Sequence, residues 1–158
     1  MLTTRLRGRF AALVFCLLAV PAQADQLVLS IVGHDDVLAR FTLHDGDRWS
    51  ILWNHSVQGF EVEDIYEDQN GAMVLVRSHL PDFAAGLDHI PGRGIQTSDG
   101  VGGYWIEDIN EPVPGNAYIL RPGPSFVNHR LRTAFAEVSL TALAERARLR
   151  IALIPDTP

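Results

Sequence analysis

Asn70-Gly71 stands between two runs of alternating side chains, Phe60 to Glu67 and Ala72 to Ser78. A two-residue turn that matches the twist of its flanking strands needs positive φ at both central residues. Asn followed by Gly meets that need with little strain, so the segment is read as a β-hairpin. Runs of the same kind recur along the chain at Gln26–Val32, Val37–Leu43, Arg48–His55, Tyr104–Ile109, Ala117–Arg121, Phe126–Thr133, Ala134–Val138 and Ala147–Ile154. Only Leu140–Glu145 reads as a short helical turn, and no long segment keeps a 3.6-residue period. Many short strands punctuated by Gly and Pro predict an all-β fold, a single antiparallel β-sandwich or open barrel. Between Pro81 and Gly103 the alternation fails, with six glycines and two prolines around Phe83, Leu87, Ile90 and Ile95. An excursion of this length is either a functional loop or an irregular wall of the fold.

The first 24 residues read differently. Arg5, Arg7 and Arg9 precede an uncharged apolar run from Phe10 to Val20, and Pro21 is followed by Ala22-Gln23-Ala24. A positive head, a short apolar core and a small-x-small ending form a secretory signal peptide cut after Ala24. The apolar run is about half of what a bilayer-spanning helix requires. The expected organisation is therefore a signal peptide over residues 1–24 and one β-rich domain over residues 25–158. That domain is expected in the periplasm, with no stable membrane insertion after cleavage.

Cleavage changes the composition. The chain has 13 basic and 19 acidic residues. The leader takes three arginines and no acid with it, leaving 10 against 19, a formal charge of −9. Such acidity argues against nucleic acid and anionic membranes as partners. The single cysteine, Cys16, also leaves with the leader, so packing and backbone pairing alone must hold the domain.

The densest chemical signal is Trp49-Ser-Ile-Leu-Trp-Asn-His-Ser-Val57. Strand alternation puts Trp49, Ile51, Trp53, His55 and Val57 on one face, with Leu52, Asn54 and Ser56 on the other. His129 shares a face with Val127 and Leu131. If both apolar faces look into one core, His55 and His129 converge as a metal, acid–base or pH-sensing pair. Otherwise each is a core histidine with a satisfied hydrogen bond. Glu61, Glu63 and Glu67 share one strand parity. They form either a carboxylate row beside His55 or an acidic solvated face opposite Phe60, Val62 and Tyr66. Ser56 beside His55 is a poor nucleophile–base pair, because alternation sends the two side chains apart. The chain has no metalloprotease helix, no nucleophile elbow and no phosphate-cradling glycine loop. No catalytic residue, metal or cofactor is assigned on these motifs.

Taken in order, Trp53-Asn-His-Ser-Val57, Glu63, Phe83-Ala-Ala-Gly-Leu87, Asp99-Gly100 and Asn128-His-Arg-Leu131 resemble the bacterial exported "domain of unknown function" family numbered 1850. The loop departs from the family pattern at Ala84, where a glycine is frequent, and at Asp88, where proline is common. The resemblance implies His55, Ser56, Glu63, Gly86, Asp99, Gly100 and His129 as the family-like binding positions. It also implies a periplasmic accessory role beside tripartite ATP-independent periplasmic (TRAP) transporters of the TAXI type. Their solute-binding protein or permease would be the partner. A small ligand- or metal-binding protein using His55, Glu63 and His129 is the alternative.

Overall fold

The computed structural model describes residues 24–34, 36–81 and 92–156. The leader up to residue 23, and the segment carrying Gly86 and Phe83–Leu87, lie outside the described residues.

Twelve strands follow one another: β1 (Asp25–Ile31), β2 (Val37–Leu43), β3 (Arg48–Asn54), β4 (Glu61–Gln69), β5 (Ala72–Leu80), β6 (Ile95–Ser98), β7 (Tyr104–Glu107), β8 (Glu111–Pro112), β9 (Ala117–Leu120), β10 (Arg130–Thr133), β11 (Glu137–Ser139) and β12 (Leu149–Ile154). One short helix, α1 (Leu140–Ala144), precedes β12. A four-stranded sheet runs in the order β2-β1-β12-β9. An eight-stranded sheet runs β11-β10-β3-β4-β5-β7-β6, with β8 added on β5. All pairings are antiparallel. The two sheets face each other without closing into a barrel, so the fold is an all-β sandwich.

Alternation builds the core. Leu27 and Leu29 from β1, Leu149 and Ile151 from β12, Trp49 and Ile51 from β3, and Leu131 from β10 are all nearly or wholly buried in one cluster. Trp49 stacks on Tyr66 of β4, and Tyr66 stacks on Tyr118 of β9, which joins the two sheets. The β4–β5 hairpin turns at Asn70 (φ 54°) and Gly71 (φ 77°), as the Asn-Gly pair requires. Asp68 Oδ1 accepts the Gly71 N–H at 2.9 Å and locks the turn.

Three local expectations are corrected. Ile95–Ser98, inside the region where alternation fails, is a strand paired to β7. All four of its residues are exposed, so it carries no inside–outside signal. Residues 126–129 are not extended. Val127 and Asn128 turn back to donate to Pro124 O, with Asn128 at φ 51°. Residues 134–136 also turn, because Thr133 Oγ1 accepts the N–H groups of Phe135 and Ala136. Side-chain capping of this kind competes with the strand ladder.

Candidate functional site

The end of β3 organises the region that carries His55, Ser56 and His129. Asn54 pins the 122–129 loop to this end. Its N–H donates to Val127 O at 2.7 Å and its Nδ2 donates to Phe126 O at 3.0 Å. His55 then opens a tight turn. Its N–H donates to Phe60 O, and its carbonyl accepts the Gly59 N–H. Its Nδ1 accepts the Gln58 N–H at 3.2 Å, so the ring proton of the neutral form sits on Nε2. The ring stacks on Phe60 with centroids 5.2 Å apart. Ser56 is exposed on the same turn.

His129 is held more tightly. Its ring lies against Trp53, with centroids 6.1 Å apart and planes 11° from parallel. Its Nδ1 accepts the Gly123 N–H at 3.0 Å. Its own N–H donates to Thr141 Oγ1 at 3.0 Å, and that hydroxyl donates onward to Gly123 O at 3.2 Å. The His129 carbonyl receives the N–H groups of Leu140 and Thr141 at the start of α1. Burial pushes the imidazole pKa down, since the charged form is poorly solvated there. His129 is thus a neutral acceptor that ties the loop, the helix and β3 together. Gly123 is confined by the same packing: a Cβ there would stand 2.9 Å from Val127 Cβ.

Each histidine lies near the same end of β3 but on a different aromatic ring, His55 on Phe60 and His129 on Trp53. Glu63 does not join them. The register pairs Glu63 with Leu52 and with His79, on the face opposite Trp53. The expected His55/Glu63/His129 constellation is therefore not assembled. Among the described residues, no group of three His, Cys, Asp or Glu side chains is placed to hold a metal ion.

The glutamate row is instead part of a charged outer face. Arg130 pairs with Glu61 and reaches Glu137 at 3.4 Å, and Arg132 pairs with Glu137 at 2.7 Å. Arg48 pairs with Glu67 at 2.6 Å and Arg77 with Glu107 at 2.7 Å. The Arg132 guanidinium holds the Glu137 carboxyl below its usual range. Leu52, on the same face, is wholly buried, with Arg130 and Glu63 as its cross-strand neighbours.

Asp99 and Gly100 form a second, separate constellation. The Asp99 carboxylate accepts the N–H groups of Val101 (2.8 Å) and Gly103 (2.9 Å) and meets His79 Nε2 at 2.9 Å. These contacts, the Val101 N–H first and His79 next, hold its pKa below the usual carboxylate value. Gly100 supplies the left-handed turn at φ 83°. Gly103 has no room for a side chain, since a Cβ would lie 2.5 Å from Asp99 Oδ2 and 2.6 Å from Pro81 Cα. His79 tilts against Trp105 with centroids 4.5 Å apart, and Arg77 lies 3.6 Å over that ring. Sequence reasoning missed His79. It is separated from Asp99 by the glycine-rich excursion, and no local spacing links the two.

No helix among the described residues is long and apolar enough to cross a membrane. The family model described as Domain of unknown function (DUF1850) matches residues 49–140, more than half of the chain. The match spans both constellations. No curated protein and no solved structure gave a match.

Proposed function

The chain belongs to the family described as Domain of unknown function (DUF1850), and from that premise we propose an exported, non-enzymatic accessory protein of the periplasm. It serves a TRAP-type (TAXI) solute uptake system by docking to the solute-binding protein or the permease. One observation carries the docking reading. The two loops joined by Asn54 present Val57, 82% exposed, and Phe126, 63% exposed, beside His55 and Ser56. Exposed apolar side chains on a rigid, hydrogen-bonded support suit protein recognition. Both imidazole Nδ1 atoms of the region are occupied by backbone donors, which suits a structural role better than acid–base turnover. The formal charge of −9 left after cleavage at Ala24 speaks against nucleic acid as the partner.

The test is crosslinking in intact cells followed by pull-down of the exported protein. Recovery of the transporter's solute-binding protein or permease supports the reading. Its consistent absence, with the exported protein present at normal level, defeats it.

A further inference from the structure

Asp68 faces the core from β4, opposite Met73, and is 0% exposed. Its Oδ1 takes the Gly71 N–H, but its buried Oδ2 has no hydrogen-bond donor among the described residues. A buried carboxylate without a donor or a cation is costly. The group facing it is another carboxyl, that of Asp25, at the first position of β1. Asp25 Oδ1 accepts the Asp156 N–H at 2.8 Å. Asp25 Oδ2 lies beside the hairpin turn, 3.5 Å from where a Cβ on Gly71 would stand. The remaining facing groups are acidic as well. Asp45 receives the Asn70 N–H at 2.7 Å, and Asp47 receives the Asp68 N–H on its carbonyl while its carboxylate turns to His44. Burial, followed by the Asp25 and Asp45 charges, pushes the Asp68 carboxyl up to about 6. Two facing carboxylates repel each other, and a cation beside them relieves that repulsion.

Cleavage of the chain can itself supply a cation here. Asp25 is the residue that cleavage after Ala24 would expose. The α-nitrogen of any residue lies within roughly 4 Å of its own side-chain carboxylate by bond lengths alone. In the precursor that nitrogen is a neutral amide, whereas in the cleaved chain it is an ammonium.

We propose that Asp25 and Asp68 form an ammonium-binding site whose ligand is the chain's own new N-terminus, so that signal-peptide removal completes the junction between the two sheets. The inference rests on the export reading and deepens it. Asp25 belongs to the four-stranded sheet and Asp68 to the eight-stranded one, so an ammonium beside both carboxylates offsets their repulsion across the junction.

The experiment uses the protein recovered after export, with its N-terminus established by mass. The Asp25 amine and the Asp68 carboxyl are titrated by NMR. They are compared with an exported variant carrying Gly-Ser inserted between Ala24 and Asp25, which moves the ammonium roughly 7 Å along an extended chain. In the native start, the amine midpoint should lie about one pH unit above the usual terminal range, and the Asp68 midpoint about one unit below that of the insertion variant. Asp68→Asn should return the amine to its usual range; the insertion variant serves as the comparison if that substitution prevents folding. An Asp25 start whose amine and Asp68 titrate as in the insertion variant overturns the site and leaves the export reading intact. An exported protein that begins elsewhere overturns both the site and the cleavage point.

Discussion

His129 lies nearly parallel to Trp53, 11° between planes, although the two residues are 76 positions apart in the chain. The contact exists because β10 pairs with β3, Leu131 opposite Ile51 and Arg130 opposite Leu52. Removing the imidazole should therefore be felt as a structural loss. His129→Ala leaves the Gly123 N–H without its acceptor in a half-buried place, at about 1–3 kcal/mol. Urea unfolding should show a lower midpoint, and Trp53 fluorescence should shift; His129→Gln, which keeps an acceptor, should recover part of the loss.

The same histidine sets a pH response. Its folded pKa lies below the ordinary 6.5, so the unfolded chain takes up a proton that the folded chain refuses. Its contribution to stability is complete above 6.5 and erodes as pH falls from there towards the folded value. Melting temperatures at pH 7.5 and 5.5 should differ more for the native protein than for His129→Gln. Equal differences in the two proteins would remove His129 from the explanation.

Gly103→Ala should be among the most disruptive single-methyl changes in the domain. The added carbon would meet Asp99 Oδ2 at 2.5 Å, Pro81 Cα at 2.6 Å and Leu80 O at 2.9 Å, and two of these three are backbone atoms. Overpacking of this kind costs about 1–3 kcal/mol. The urea midpoint should fall at unchanged slope, with loss of the His79–Asp99 contact visible in the His79 ring resonances.

Asp99 carries its own pH signature. A carboxyl whose folded pKa lies below 3.8 contributes stability above that value and loses it as pH falls through the folded pKa. Asp99→Asn should therefore melt below the native protein at pH 7. That gap should narrow once the solution is acidified below 3.8. A gap that stays constant with pH would mean that the hydrogen-bond geometry, not the charge, matters.

Val57→Asp together with Phe126→Asp separates docking from folding. Both side chains are largely in water, so stability should change by about 0.5 kcal/mol or less for each. Recovery of the transporter component after crosslinking should nevertheless drop several-fold. Unchanged recovery would move the docking surface elsewhere on the sandwich.

Much of the local architecture was legible because it depends on period and turn chemistry alone. Asn70-Gly71 dictates its hairpin, and the parity of Trp49, Ile51 and Trp53 marks the buried face of β3. The common parity of Glu61, Glu63 and Glu67 marks one face of β4, and that face proved to be the ion-paired exterior. Short-range capping blurred the reading at Thr133 and Pro124, where side chains and proline override alternation. What no local rule contained is which faces meet. The antiparallel register of β3 with β4 sets Glu63 across from Leu52, away from the histidines, while the β3–β10 register brings His129 onto Trp53. The approach of Asp99 to His79, and of Asp25 to Asp68, likewise joins segments far apart in the chain. A period of two says that a side chain points up or down; only the packed sheets decide what lies above and below it.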